Sequence, residues 1–224
     1  FFSVNNHGLT EKKYRDLFEP GRNYDVTGEA SPSYLRVTGA PQSIKELIPG
    51  CRIVIILRDP VERFLSDFKY SRRHGYHPDP LVTYLNRHVD VQEGVPWHFR
   101  IKTMLEKGFY ADQVRRYLDT FGQDQVFIRL FDDLAEDAAS VVRDLYQFLE
   151  VKEDFVPDVR KQHNPSTEAR WPVLARWIGD ERVRRVVVQV LGRSNAASLL
   201  TKIRDVNSRP STFVPTREST RLLQ

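Results

Sequence analysis

The sequence is poor in the residues on which several kinds of chemistry depend. It contains one cysteine, Cys51, and one methionine, Met104, so neither an internal disulfide framework nor a cysteine-based zinc site can form. Its six histidines lie apart, no HExxH spacing occurs, and no Ser-His-acid set emerges; metal-assisted hydrolysis and triad chemistry are left without support. No apolar run approaches the ~20 residues of a bilayer-spanning helix, and no charged-then-apolar signal segment opens the chain. Neither sign of charge dominates, with 34 Lys and Arg against 30 Asp and Glu and a net charge of +4. That balance favours anionic ligands only mildly. The basic residues fall in pairs (Arg72-Arg73, Arg115-Arg116, Arg184-Arg185) with no continuous stripe or stacking aromatics, so they read as solvated helix faces, and no nucleic-acid partner is expected. A single thiol fits a reducing compartment, and the expected location is the cytoplasm.

With 224 residues, 40% of them hydrophobic, the chain is long enough for one sizeable core, and a single domain over residues 1–224 is expected. The most informative stretch is Cys51 to Arg72. Ile53 to Leu57 is a continuous apolar run rich in β-branched residues, which predicts a strand buried on both faces in a mostly parallel sheet covered by helices. Periodicity changes at Asp59. Asp59 suits an N-cap, Pro60 the first helical position, and Glu62 completes a capping-box spacing. Val61, Phe64, Leu65 and Phe68 then mark the buried face of a helix. Arg58 is left at the carboxyl end of the strand and Ser66 two turns into the helix, off the apolar face. A guanidinium fork and a hydroxyl there suit a phosphate; a strand-end Arg and a polar-face Ser are also individually ordinary.

Elsewhere, Thr10 to Phe18 predicts a short helix and Tyr24 to Gly28 a strand. Glu29, Ser31 and Ser33 then fall in a loop, because Pro32 suits neither regular element. For Glu29, a turn or cap hydrogen bond and a part in proton transfer stay open together. Leu81 to Arg87 reads as a short helix and Gln92 to Phe99 as a loop carrying Trp97 and His98. Met104 to Phe121 reads as a helix closed by Gly122, Val126 to Leu130 as a strand ending at Phe131, and Leu134 to Leu149 as an amphipathic helix. Phe155 to Pro165 is expected to be irregular, His163 to be structural, Trp171 to Ile178 and Glu181 to Leu191 to be helical, and Arg209 to Pro215 to be a flexible connection or an unfinished tail. The alternation of short apolar runs with helical periodicity makes the fold class α/β, with parallel strands near Tyr24–Gly28, Arg52–Leu57 and Gln125–Leu130.

The order apolar strand, Arg58, Asp59-Pro60, helix, Ser66 resembles the 3′-phosphate-binding segment of sulfotransferases that use 3′-phosphoadenosine-5′-phosphosulfate. GEASPSYL (28–35), KGFYADQVRRYL (107–118), VFIRLFDDLAEDAASVVRDLYQFLEV (126–151) and HNPS (163–166) agree in order, and the chain looks most like bacterial enzymes related to the heparan-sulfate sulfotransferases. The resemblance implies a three-layer, P-loop-NTPase-like fold and sulfuryl transfer to a hydroxyl or amine on a small molecule or glycan, with no metal. It places Arg58 and Ser66 at the 3′-phosphate and Phe131 by the adenine, unless Phe131 only plugs the sheet end. It also brings Ser31, Trp97 and His98 towards the acceptor, although packing accounts for the last two equally well.

Two departures stand out. Ala30 replaces a lysine of the heparan-sulfate branch, which leaves the acceptor class open. The family's Gly-rich loop for the 5′-phosphosulfate is missing, and its acidic base stands shortly before a Phe-Phe pair, whereas this chain begins Phe1-Phe2. Loop and base are therefore expected upstream, with Glu29 as the one in-chain candidate for a base and little transfer expected from these 224 residues alone. A P-loop-type nucleotide kinase and a non-catalytic domain binding a 3′-phosphonucleotide or sulfated glycan remain as other classes.

Overall fold

The computed structural model describes residues 1–2, 10–77, 79–86, 95–153, 155, 158 and 167–223. In chain order the helices begin with α1 (Glu11–Asp16) and α2 (Ala40–Leu47). Strand β1 (Ile53–Leu57) is followed by α3 (Pro60–Arg73), α4 (Leu81–Asn86), α5 (Ile101–Glu106) and α6 (Tyr110–Phe121). Next come β2 (Val126–Leu130), α7 (Phe131–Glu136), α8 (Ala138–Leu149) and β3 (Thr167–Ala169). The chain continues through α9 (Pro172–Gly179), α10 (Glu181–Leu191), α11 (Arg193–Val206), β4 (Ser208–Pro210) and α12 (Arg217–Leu223). These elements fall into two compact units, one of Phe1–Arg58 with Phe109–Lys161, the other of Asp59–Gly108 with Gln162–Gln224.

The first unit is built on the expected parallel pair. β1 and β2 run side by side in register, Ile53 opposite Val126 through Leu57 opposite Leu130. Ile55 and Val126 lie in a core with Ile44 of α2 and Tyr117 and Phe121 of α6, while Phe127 points to the other face against Phe148 of α8, ring centroids 5.4 Å apart. That cover packs on β2 and leaves part of β1 open. Val54 and Ile56 are therefore 43% and 41% exposed, and the expectation of a strand buried on both faces holds for one face of β1 alone. The strand expected at Tyr24–Gly28 does not form. Tyr24 and Val26 are both exposed, and Tyr24 N–H instead closes a turn on the Gly21 carbonyl at 3.0 Å; without a buried face a short run has nothing to hold it extended. The helix read over Leu134–Leu149 is interrupted by Asp137, whose carboxylate accepts from Ser140 N–H at 3.0 Å and caps α8 separately from α7.

The second unit is organised on α3. Asp59 Oδ1 accepts from Glu62 N–H at 2.9 Å and Pro60 holds the first helical position, so the N-terminal signal forms as expected. Phe64, Leu65 and Phe68 then pack with Leu81, Phe99, Ile101 and Met104. The helix expected over Met104–Phe121 breaks before Phe109. Gly108 permits the break: a Cβ there would come within 3.2 Å of both the Leu105 carbonyl and the Pro60 side chain. Arg209, expected in a flexible connection, lies in β4, which pairs antiparallel with β3. The pairing is anchored by buried Glu168, whose Oε1 accepts from Arg209 Nε and Thr212 Oγ1, each at 3.0 Å. His163 lies outside the described residues.

Candidate functional site

Arg58 follows the last residue of β1 and Phe131 the last residue of β2. Because Leu57 and Leu130 are in register, the two side chains emerge together at the carboxyl edge of the parallel pair. The Arg58 guanidinium carbon lies 5.3 Å from the centroid of the Phe131 ring, a cation–π contact worth about 0.5–1 kcal/mol at an accessible position. Phe131 is exposed and presents an aromatic surface beside a planar set of donors. The structure thus brings together two of the residues singled out from sequence. The carboxyl ends of parallel strands are where anionic ligands bind in α/β sheets.

Ser66 lies in the second unit, on the exposed side of α3. The next residue, Asp67, anchors a charged cluster that the sequence reading passed over. Its Oδ2 accepts from Arg63 at 2.8 Å and from Lys107 Nζ at 2.9 Å, and Arg63 also donates to the Met104 carbonyl. The i, i+4 spacing of Arg63 and Asp67 was visible in the sequence; Lys107, forty residues on, was not.

Glu29 belongs to the first unit and accepts two hydroxyls on one oxygen. Tyr14 and Tyr34 donate to Oε1 at 2.8 and 2.9 Å, and among the described residues nothing donates to Oε2. Glu29 therefore makes neither the turn nor the cap hydrogen bond entertained from sequence. Burial, followed by the hydrogen bond to Glu29, pushes the Tyr34 phenol up to about 12 and raises Tyr14 still further, so both remain donors across the neutral range. The turn carrying Tyr34 is itself fixed to α6, where Tyr117 Oη donates to the Tyr34 carbonyl at 2.9 Å. Ser31 and Ser33 share a hydrogen bond between their hydroxyls at 3.0 Å. Tyr34 stood in a segment quoted above, but Tyr14 carries no signal beyond its place in α1.

Trp97 and His98 lie in a short 3₁₀ turn of the second unit, Trp97–Phe99. The Trp97 ring meets His98 edge-on at 5.5 Å, and His98 lies 4.3 Å from Phe99, which His74 also contacts. Burial holds the His98 pKa below its ordinary value, and the positive charge of Lys107 lowers it further. Among the described residues no group of three or more His, Cys, Asp or Glu is placed to hold a metal ion, and no helix is long and apolar enough to cross a membrane.

Comparison with known proteins gives these residues a setting. Residues 29–168 match the family model described as Sulfotransferase domain, a span that contains Glu29, Arg58, Ser66, Trp97, His98 and Phe131. The mouse bifunctional heparan sulfate N-deacetylase/N-sulfotransferase 3 is 30% identical over 157 residues, which cover 67% of this chain and 18% of that protein. The mouse heparan sulfate glucosamine 3-O-sulfotransferase 3B1 is 27% identical over 141 residues, 62% of this chain and 35% of that protein. The chain thus spans a minor part of the length of these relatives. The crystal structure of a sulfotransferase from Alicyclobacillus acidocaldarius superposes with a TM-score of 0.59 at 26% identity, covering 95% of this chain and 74% of that one. An α/β arrangement with parallel β1 and β2, a family match over more than half its residues and a solved sulfotransferase of the same fold agree: this chain belongs to the sulfotransferase domain family.

Proposed function

We propose that this chain is part of an enzyme that transfers a sulfuryl group from 3′-phosphoadenosine-5′-phosphosulfate to a hydroxyl or amine acceptor, without a metal, in the cytoplasm. The observation that carries the reading is the pairing of Arg58 with Phe131 at the carboxyl ends of neighbouring parallel strands, in a chain of this family. The groups suit the nucleotide: a planar fork of donors for phosphate oxygens and an exposed aromatic face for a purine. Ser66 keeps its part at the 3′-phosphate on sequence grounds, from its place eight positions after Arg58.

The nucleotide, when bound, supplies the sulfuryl group, and the protein's part is to orient and to handle charge and protons. Arg58 neutralises phosphate charge. Glu29 receives the acceptor's proton at Oε2, held in direction by the two tyrosines on Oε1. Ser31, on the neighbouring turn, contacts the acceptor; Trp97 and His98 keep their part at the acceptor on sequence grounds. The mouse relatives are named for N- and 3-O-sulfotransfer in heparan sulfate, so a glycan amine or hydroxyl heads the acceptor panel. Ala30 offers no cation to an acidic glycan, which puts uncharged acceptors beside it.

The test is transfer from labelled donor to a panel of glycans, phenols and lipid alcohols, run alongside calorimetry on Arg58→Ala. The substitution should weaken 3′-phosphoadenosine-5′-phosphate about 10- to 100-fold, the size of a lost charge-assisted hydrogen bond, while AMP binding changes little. Equal losses for the two nucleotides would remove Arg58 from the 3′-phosphate.

A further inference from the structure

The family match ends at Glu168, and the helices after it expose apolar side chains that the second unit leaves uncovered. On α9, Val173 and Trp177 stand one turn apart and are 78% and 57% exposed. On α10, Val186 and Val190 repeat the spacing at 60% and 74%. Burial of Ile178, Ala196 and Leu200 shows that α9 and α11 have inward faces, and the two pack on each other and on α10. The exposed valines and tryptophan are therefore a second, outward set.

Arginines border that set. Arg182 stands one turn before Val186, Arg185 beside it and Arg193 just past Val190, all exposed; Arg170 holds its guanidinium 5.7 Å from the ring of exposed Trp171. Between residues 170 and 193 there are six arginines, one of which, Arg176, is turned to the Gly75 carbonyl, and two acids, Asp180 and Glu181. Asp180 is already engaged as the cap of α10, accepting from Arg182 N–H at 2.7 Å.

We propose that this arginine-bordered apolar face of α9 and α10 docks peripherally on an anionic lipid surface. Valine and tryptophan side chains enter the boundary between headgroups and acyl chains, where tryptophan is favoured, and the arginines meet lipid phosphates. Charge complementarity selects this occupant. A second copy of the chain would set the same arginines against one another across a two-fold contact. Nucleic acid would use the arginines but gain nothing from burying the valines. Docking of this kind needs no membrane-spanning helix.

Vesicle sedimentation of the whole chain tests the proposal, using vesicles of phosphatidylcholine alone and mixed with phosphatidylglycerol. Binding should require the anionic lipid and weaken steeply with salt. Val186→Glu with Val190→Glu should lower it about a hundredfold, since two apolar contacts are lost and two like charges face the lipid. Arg182→Glu with Arg185→Glu keeps the valines and should lower binding to the anionic vesicles by a similar factor. Unchanged circular dichroism and melting establish that the variants fold. No binding, equal binding to both vesicle types, or binding unmoved by either pair would overturn the proposal. So would a concentration-dependent dimer that the valine pair abolishes, which would give the face to a second copy.

Discussion

At the residue scale Glu29 is held from two sides, because the two hydroxyls on its Oε1 come from elements set independently of each other, α1 and the turn at 31–35. Their protonation is linked to stability. Tyr14 and Tyr34 have pKa values raised above the ordinary 10.0 in the folded chain, Tyr34 to about 12. Their contribution is therefore fully present below pH 10 and is lost as pH rises from there through 12. Urea melts at increasing alkaline pH should show the first unit weakening in that window, and Tyr34→Phe should flatten the dependence. Under the role proposed for Glu29, the same substitution should lower kcat about tenfold and leave the KM for the nucleotide unchanged, because it frees the direction of the proposed proton acceptor and leaves Arg58 and Phe131 untouched. A pH profile of stability identical in wild type and variant would show that the hydrogen bond to Glu29 has no such linkage.

Between elements, the contact most sensitive to a single atom is that of α3 with α9. Gly75 follows the α3 cap with φ +81°, and a Cβ there would lie 2.0 Å from the Pro172 carbonyl oxygen; Arg176 Nε donates to the Gly75 carbonyl at 3.0 Å. Gly75→Ala combines left-handed strain with a clash against backbone that cannot rotate away, and should cost on the order of 2–4 kcal/mol. Gly179→Ala, where a Cβ meets nothing within 4 Å, is the control in the same unit and should leave the melting temperature within a degree or so of wild type. A small effect at Gly75 would mean that α9 yields there. What was legible in the sequence follows the same division. β1, β2 and α3 could be read because their apolar spacing and the cap at Asp59 are local signals. β3 and β4 could not: three-residue strands held by buried Glu168 and Arg209, 41 positions apart, leave no periodicity. The breaks at Gly108 and Asp137 were hidden because the apolar spacing continues on either side of them. At the site, Arg58 and Phe131 were visible as strand ends, whereas the Tyr14–Glu29 contact depends on how α1 folds back, which nothing near Tyr14 encodes.

For the molecule as a whole, the decisive fact is that neither unit is a continuous stretch of chain. The first draws on residues before 59 and after 108, and β1 finds its parallel partner some seventy positions later. Its core joins Tyr14, Ile44 and Ile55 to Tyr117, Phe121 and Val126, all of the first unit among the described residues. The second core, from Phe64 to Met104, takes added cover from Phe213 and Leu223 near the other end of the chain. Truncation should therefore act unequally. A chain ending at residue 161 keeps every residue of the first unit and removes β3, β4 and α9–α12 from the second, so it should retain a cooperative melt of reduced amplitude. Ending at residue 108 removes β2, α6, α7 and α8, leaves β1 without a partner and strips Tyr117, Phe121 and Val126 from the first core; such a chain should show no cooperative transition and a collapsed amide spectrum. Measuring both by calorimetry and two-dimensional NMR separates the possibilities. Loss of the transition at 161 as well as at 108 would mean that the first core does not hold without the second, and the independence argued from the two clusters would fall.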